Sequence, residues 1–571
     1  MLNGKSTENL PSAIRSRRRE IRLVTGRAAE PADTGLRRDI GKLGLLFVSC
    51  GAIIGSSWLF VPITALQITG PSAIVSWLIA IVLITVIMLT YSELSAMFPV
   101  AGGVTRFPQY SHGSFTSYTV GWITWLGVAA VPPIEVLATL QYSSSFIPGL
   151  FRDEAGTPVL TTGGIIVAVA LMGMYTVVNI LGVRWFARIN NVMVWWKLTT
   201  VAIMALALLA TSFQSDVLTS PETGGFTPFG FGAIFAAVSS GGLVFTLMGA
   251  RQAVELAAET TKPKVNIPFA LIGSILICGA ILIVLQVAVA GSIPEDVLTS
   301  SGWHNLFVND DIGPLAGLAG ALGLVWLVVL IRVDAIISPL DTGLIYAASA
   351  ARLSYAQGRN GNAPHWLTLL NKRGVPWTSM LLMFTIGCLF FLPLPSWQQL
   401  AGFITTATVL AFGAGPVVMG ALRRQLPEQE RPFKVPGGDI VPFLALLAAS
   451  FIVYWAGWST NIRVFLAVII GYIALGLHYR FARDRSLIPP LQLREGAWIL
   501  IWFCGLAVIS WLGTYGDGLG ILDGPASSMA LIALTTLSYL VGQKVRLTAS
   551  EVAANMERQR IADTDAPPVE L

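Results

Sequence analysis

The sequence predicts an all-α integral membrane protein with about fourteen transmembrane helices and both termini in the cytoplasm. Of its 571 residues 54% are hydrophobic and only 12% are charged, which is typical of membrane proteins. Long apolar runs recur along the chain, and a bilayer core of about 30 Å requires roughly 20 apolar residues per helix. The charges between these runs also differ in sign between the two sides, which indicates their orientation.

The apolar runs that satisfy this length requirement are taken here in chain order. They lie near residues 44–69, 71–97, 116–147, 162–183, 190–211, 229–257, 267–291, 314–349, 376–394, 398–420, 440–457, 463–480, 496–513 and 526–543. The first 40 residues contain no apolar segment typical of a signal peptide, so we expect the first helix to target the chain.

The loops on one side of these helices are basic, and the loops on the other side are acidic. The basic loops hold Arg106, Arg184, Arg188, Lys262, Lys264, Arg352, Arg359, Lys372, Arg373, Arg423, Arg424, Arg431, Lys434, Arg480, Arg483, Arg485 and Arg494. The acidic loops hold Asp153, Glu154, Asp216, Glu222, Glu295, Asp296, Asp310, Asp311, Asp517 and Asp523, with Arg152 and Arg463. The positive-inside rule places the basic side in the cytoplasm. Both terminal tails are also basic, so the number of spans is even, and twelve is the alternative to fourteen.

Two hydrophobic segments are interrupted by glycine at corresponding positions of the chain. The first span contains GAIIGSS (51–57), and the sixth contains SSGGLVFTLMG (239–249). Such paired interruptions are typical of transporters built from two inverted repeats, although GAIIG alone would also suit close helix packing. The flanking serines and the nearby Pro62 favour a break in the helix.

The paired interruptions divide the chain into parts. We expect a basic cytoplasmic tail (1–43), two five-helix repeats (44–211 and 229–422), two further helix pairs (440–480 and 496–543) and a C-terminal cytoplasmic tail (544–571). A broken helix exposes N–H groups that suit a carboxylate and carbonyls that suit an ammonium group. A zwitterion such as an amino acid carries both.

Several ionisable residues lie inside the predicted spans, where each costs about 2.5 to 3.5 kcal/mol near the midplane. Lys197 is a candidate proton carrier in span 5, and snorkelling to the inner interface is its alternative. Asp334 is a coupling or substrate-contact candidate that shares a helix face with Ser338 and Asp341, and a structural bond to a lysine or to a freed N–H is its alternative. Glu135 lies beside Pro132 and Pro133 in span 3 and is a candidate of the same kind.

The sequence lacks the motifs of an enzyme. It contains no Walker loop, HExxH motif or paired CxxC, and its four histidines are scattered. Its four cysteines each lie in an apolar run, which is typical of small core residues rather than disulfides or metal ligands. We therefore expect no metal, no cofactor and no catalytic residue. The basic N-terminal tail is better explained as a solvated segment than as a nucleic-acid site.

Together these motifs resemble amino acid permeases of the amino acid, polyamine and organocation superfamily over about residues 40–480. The resemblance is carried by GAIIGSSWLF (51–60), YSELSAMFPVAGGVTRFPQY (91–110), GARQAVELAAETTKPKVNIP (249–268), ARLSYAQGRNGNAPHWL (351–367) and RPFKVPGG (431–438). It implies the LeuT-like fold of two inverted five-helix repeats, here with additional C-terminal helices. Two stretches, RFPQYSHGS (106–114) and DAIISPLDTGLIYAASAARLSYA (334–356), are similar to bacterial aspartate-proton symporters.

The resemblance also implies roles for individual residues. The unwound stretch that holds the substrate carboxylate would be Gly51, Ala52, Ile53, Ile54, Gly55 and Ser56. A second unwound stretch would run from Phe245 through Thr246 to Gly249, with Phe245 closing over the substrate. Lys197 matches a lysine that takes the place of sodium in sodium-independent members. Arg251 departs from the family, because several relatives have a glutamate there; it could select acidic side chains or pair with Glu255.

The expected function is secondary active transport of an amino acid across the cell membrane by alternating access. Coupling to protons rather than sodium is expected from Lys197, and an acidic substrate is expected from Arg251. The alternatives are an exchanger or facilitator that moves no net proton, and a transporter-like sensor that binds amino acids. The partners would be the amino acid, a proton and the lipid bilayer, with no nucleic acid.

Overall fold

A computed structural model describes residues 38–100, 102–154, 157–181, 186–306, 313–359, 361–392, 394, 396–481 and 489–564. Most of the basic N-terminal tail and the end of the C-terminal tail lie outside these residues. Arg184, Asp310, Asp311, Arg483 and Arg485, which contribute to the predicted charge asymmetry, lie outside them as well.

The described residues are dominated by α-helices, as predicted. The first half contains α1 Lys42–Ile53, α2 Ser57–Thr69, α3 Ala73–Met97, α4 Gly103–His112, α5 Ser114–Ala129, α6 Val131–Ser143, α7 Thr162–Leu181, α8 Phe186–Thr211, α9 Gly230–Ser240, α10 Leu243–Leu247, α11 Gln252–Glu255 and α12 Pro263–Gly291. The second half contains α13 Glu295–Ser301, α14 Pro314–Ala321, α15 Val325–Arg359, α16 Trp377–Leu389, α17 Trp397–Phe412, α18 Ala414–Gln425, α19 Ile440–Trp455, α20 Trp458–Phe481, α21 Ala497–Leu512, α22 Gly524–Val545 and α23 Ala549–Thr564.

One element was not predicted by the hydrophobic pattern. Strands β1 Phe151–Glu154 and β2 Thr157–Leu160 form an antiparallel hairpin in the loop between α6 and α7. Phe151 pairs with Leu160 at its base, and both side chains pack on the helices. Such a short hairpin contains too few residues to show a strand periodicity of its own.

Within the described part of the chain, nine helical stretches are long and apolar enough to cross a membrane. Four shorter apolar helices accompany them, namely α1, α16, α19 and α21. Their outer faces carry large apolar side chains that the protein leaves uncovered, such as Ile166 (67% exposed), Leu206 (63%) and Ile470 (59%). Exposed apolar surface costs about 25 cal/mol per Å² in water, so these faces suit the hydrocarbon of a bilayer.

Among the described residues, three of the interruptions in the central helices have an evident local cause. Ile54 departs from helical geometry (φ −92°, ψ 76°) and ends α1. Pro132 and Pro133 lie in the first turn of α6, which starts one residue after α5 ends, and in that turn the N–H that proline lacks has no partner within the helix. Gly242 has φ +85°, a backbone conformation that glycine adopts without strain, and it separates α9 from α10.

The packing of the helices brings these interruptions together. Helix α1 packs on α8, α12 and the 3₁₀ turn Met248–Arg251, and α6 packs on α15. A Cβ atom on Gly249 would overlap the backbone of Ala52 and Ile53. The segment after α10 therefore approaches the end of α1 as closely as two backbones can.

Candidate functional site

The first break is shorter than the sequence predicted. Helix α1 continues through Gly51, Ala52 and Ile53, and only Ile54–Ser56 lies between it and α2. The N–H of Ile54 still donates to the carbonyl of Cys50 at 3.0 Å, which keeps the last turn of α1 intact. Because α2 begins at Ser57, its positive N-terminal end points into the centre of the protein.

The second break also lies elsewhere than predicted. It falls at Gly241 and Gly242, between α9 and α10, whereas Phe245 and Thr246 belong to the helical turn α10. The Thr246 hydroxyl donates to the carbonyl of Gly242 at 2.9 Å and so satisfies one carbonyl of the break. The prediction aligned this span on Gly249 and therefore placed the break several residues too late. Gly242 and Gly249 lie on either side of α10, so the presence of glycine does not by itself locate the break.

The side chain of Glu135, on α6, lies at the N-terminal end of α2. Its carboxylate, which is 1% exposed, accepts a hydrogen bond from the backbone N–H of Ser56 at 3.0 Å. A Cβ atom on Gly55 would lie 2.8 Å from the other Glu135 oxygen, so only glycine leaves room for this carboxylate. Helix N-termini favour negative groups, and here that group belongs to the protein itself.

Lys197 binds the other side of the same break. Its ammonium group donates to the carbonyl of Gly51 at 3.2 Å and to the hydroxyl of Thr342 at 2.9 Å. It also lies 2.8 Å from Asp341 Oδ2, and both side chains are almost completely buried. Lys197 therefore does not snorkel to the interface, and it links the negative C-terminal end of α1 to α15.

Asp334 and Ser338 form a separate cluster on α15. Asp334 Oδ1 accepts hydrogen bonds from Trp196 at 2.8 Å and from Ser338 at 2.7 Å, and Oδ2 accepts one from Trp58 at 2.9 Å. All three donors are neutral, and they come from α8, α15 and α2. These contacts favour the structural alternative for Asp334, because they tie three helices together and leave both of its oxygens occupied.

Aromatic side chains close the site on the side of α2. The indole of Trp397 donates to the Ser56 hydroxyl at 3.0 Å, stacks on Phe60 with ring centroids 4.7 Å apart, and meets Phe245 edge-on at 5.9 Å. Phe245 is half-buried. This arrangement gives Phe245 a neighbour that fixes its position beside the break.

A small cavity lies between the two breaks. It is lined by Ala52, Ile53, Gly55, Ser57, Val131, Glu135, Phe245, Thr246, Thr342 and Tyr346. Its volume of about 10 Å³ is near the limit for one water molecule. Five of the nine residues predicted to bind substrate border it, and an amino acid would require the surrounding helices to move apart.

Arg251 lies behind this cavity. It is 2% exposed, stands over the ring of Tyr346 at 5.3 Å and donates to the hydroxyl of Thr408 at 3.3 Å. Its Nε also lies 3.7 Å from Glu255 Oε1, so the predicted pairing one helical turn apart is present. Tyr346 separates its guanidinium group from the cavity.

Three residues of the site were not chosen from the sequence. Asp341 shares a helix face with Asp334, which does not distinguish the two, and no local pattern marks Thr342 or Trp397. Their relevance depends on contacts between segments far apart in the chain, with Lys197 and Ser56 respectively. A buried lysine does indicate that a buried carboxylate pairs with it, but not which carboxylate.

Comparison with known proteins agrees with these features. The family model described as amino acid permease matches residues 40–516. The glutamate/serine transporter AimA of Bacillus subtilis (strain 168) is 33% identical over 517 residues, which cover 89% of this chain and 93% of the relative. The aspartate-proton symporter of the same organism is 33% identical over 503 residues, covering 88% and 95%.

A more distant relative is named for a different class of amino acid. The branched-chain amino acid permease BcaP of Bacillus subtilis (strain 168) is 27% identical over 479 residues, covering 80% of this chain and 96% of the relative. These relatives are transporters and permeases rather than enzymes. The chain therefore belongs to the amino acid permease family, as its motifs indicated, and it is a multi-pass protein of the cell membrane.

Proposed function

We propose that this protein is a proton-coupled, sodium-independent transporter of acidic amino acids that works by alternating access. The observation that carries this proposal is the hydrogen bond from the Ser56 N–H to Glu135. The site expected to hold the substrate carboxylate is held by a carboxylate of the protein, so binding and the charge of Glu135 are linked.

The linkage follows from electrostatics. Two carboxylates within a few ångströms of each other repel strongly in a low-dielectric interior, and a proton on one of them removes the repulsion. A substrate carboxylate that approaches the N-terminus of α2 would therefore favour protonation of Glu135. The substrate and a proton would then enter the site together, which is proton symport.

The charges of the buried residues also support protonation of Glu135. Lys197 is balanced by Asp341, and Arg251 is balanced by Glu255. In the described part of the chain, neither Glu135 nor Asp334 has an ion pair within 4 Å, although both are buried. Three side-chain donors bond the Asp334 carboxylate, whereas the Glu135 carboxylate accepts from the Ser56 N–H. An unbalanced buried carboxylate is a natural site for a proton.

Lys197 would serve a second role in the cycle. Its ammonium group holds the carbonyl of Gly51 and the hydroxyl of Thr342, and it occupies a position that a cation would otherwise fill. This arrangement supports sodium independence. If Lys197 loses its proton, its hold on α1 weakens, and α1 can move relative to α15.

The proposal that the substrate is acidic rests on two observations. Arg251 is buried behind Tyr346 at the edge of the cavity, where a shift of the Tyr346 ring would expose a cation to a substrate side chain. Two relatives at 33% identity are named for glutamate/serine transport and for aspartate-proton symport.

For the overall architecture we infer fourteen membrane crossings, both termini in the cytoplasm, and two inverted repeats over 44–211 and 229–422. The paired breaks at Ile54–Ser56 and Gly241–Gly242 support this arrangement. The helices over 440–480 and 496–543 would be additional to the repeats. In this arrangement the helices that carry the breaks rock against the others around a fixed midplane site.

Uptake into proteoliposomes tests the proposal. A panel of labelled amino acids is offered with an inward proton gradient, with a sodium gradient and with neither. We expect accumulation of aspartate or glutamate only with the proton gradient. Exchange of internal for external substrate without a gradient effect would favour the exchanger, and binding without any flux would favour the sensor.

A further inference from the structure

A second cavity, much larger than the one between the breaks, lies beside α5. Its volume is about 930 Å³, which is in the range of cavities that hold drug-sized ligands. Its walls are formed by α5, the C-terminal end of α15, the segment 361–367, α16 and α20. It shares no lining residue with the cavity between the breaks.

The walls of this cavity are apolar, but three polar groups in them are buried without a hydrogen-bond partner among the described residues. These are both ends of the Gln357 amide, both ends of the Asn362 amide and the indole N–H of Trp125. Their residues are 7%, 1% and 5% exposed. Buried polar groups are almost always paired, so three such side chains around one cavity indicate a ligand with polar groups, whose acceptors would pair with the two amide N–H groups and the indole N–H.

The local packing holds the Gln357 amide in place. A Cβ atom on Gly121 would overlap Gln357 Nε2, so the amide rests directly on the backbone of α5. The neighbouring Trp122 also lines the cavity, and its own indole is already bonded to the carbonyl of Ala467 at 2.9 Å. The unpaired amide is therefore positioned by a glycine that leaves it just enough room.

The mouth of the cavity opens on a surface that suits lipid. Leu477 (53% exposed) and Phe481 (71%) line the cavity on α20. The same helix presents Ile470 and Ile473, which are also exposed. At the end of α20 the guanidinium group of Arg480 stands 5.5 Å from the centre of the Phe481 ring. A ligand leaving the cavity would meet apolar side chains first and then a cation.

We propose that this cavity binds one phospholipid of the surrounding bilayer. Its acyl chains would lie against Trp122, Leu382 and Leu477, and its ester carbonyls would accept hydrogen bonds from Gln357, Asn362 and Trp125. Its phosphate would lie near Arg480, because anionic headgroups are attracted by basic side chains at the membrane surface.

Native mass spectrometry of the full-length protein released from nanodiscs of mixed phosphatidylglycerol and phosphatidylethanolamine tests the proposal. Ala474→Trp places a bulky ring at the mouth of the cavity, and Ile470→Trp places the same ring on the exposed face of α20 outside it. We expect one phospholipid to remain on the wild type and on Ile470→Trp, and at least a tenfold loss on Ala474→Trp. Equal retention by the two variants, or retention of detergent alone, would overturn the proposal.

A second pair of measurements addresses the polar groups and does not depend on a bulky substitution. Gln357→Leu and Asn362→Leu remove the unpaired amides, so the delipidated variants should be at least as thermally stable as the delipidated wild type. We expect added phospholipid to raise the melting temperature of the wild type by several degrees and to leave that of the variants nearly unchanged. An equal rise in all three proteins would contradict the assignment of these amides.

Discussion

The carboxylate of Glu135 on α6 accepts a hydrogen bond from the backbone N–H of Ser56 at 3.0 Å. Thus the break between α1 and α2 is not left for a ligand to satisfy alone. On the other side of the same break, the ammonium group of Lys197 holds the carbonyl of Gly51. Each end of the broken helix faces a side chain of the charge that its dipole favours.

Glu135→Gln should separate binding from coupling. The glutamine oxygen can still accept from the Ser56 N–H, but the side chain can no longer gain or lose a proton. We expect proton-driven accumulation in proteoliposomes to fall at least tenfold, while exchange of internal for external substrate continues and its dependence on pH becomes flatter.

Asp334→Asn is the matched control for this variant. Asparagine offers one acceptor oxygen in place of two, so one of the indole bonds from Trp58 or Trp196 is lost. A hydrogen bond to a charged group contributes about 1.5 to 3 kcal/mol, and the melting temperature should fall accordingly. The folded fraction should keep its proton coupling. Lost coupling in Asp334→Asn with coupling retained in Glu135→Gln would reverse our assignment.

Lys197→Ala should abolish proton-driven accumulation. The change also leaves Asp341 buried without its cation, and breaking a buried ion pair costs about 3 to 5 kcal/mol. The double variant Lys197→Met/Asp341→Leu removes both charges and should recover thermal stability without recovering transport. Accumulation of substrate by either variant against a gradient would contradict a coupling role for Lys197.

Gly249→Ala should disrupt the contact between the two breaks. Its Cβ atom would overlap the backbone of Ala52 and Ile53, neither of which can move without shifting α1. We expect a loss of more than 90% of transport together with a lower melting temperature. Gly44→Ala is the control, since its Cβ atom would meet only Ile40 at an ordinary 3.6 Å, and it should transport like the wild type.

Arg251→Gln/Glu255→Gln tests the substrate assignment while keeping the local charge balanced. If Arg251 attracts an acidic side chain, the preference for aspartate or glutamate over serine should fall about tenfold, which corresponds to about 1.4 kcal/mol. Competition against labelled serine measures this ratio and is independent of the expression level. An unchanged ratio would leave Arg251 a purely structural partner of Glu255.

The sequence determined the helical class, the approximate helices and the two interrupted segments, because each depends on residues close together in the chain. Apolar length marks a helix that can cross the membrane, and glycine or proline marks where its regular geometry can end. Lys197, Glu135 and Arg251 could likewise be singled out, since a charge within an apolar run is conspicuous in any context.

Only the tertiary structure decided which of these residues contact each other. In the structure Lys197 pairs with Asp341 rather than Asp334. The Glu135 carboxylate accepts from the Ser56 N–H. The second break lies at Gly241 and Gly242, earlier in the chain than predicted. Asp334 and Asp341 lie seven residues apart on one helix face, so periodicity does not distinguish them. The choice between them depends on how α8 packs against α15, and that packing is set by steric fit and hydrogen bonds between distant segments, which local sequence patterns do not encode.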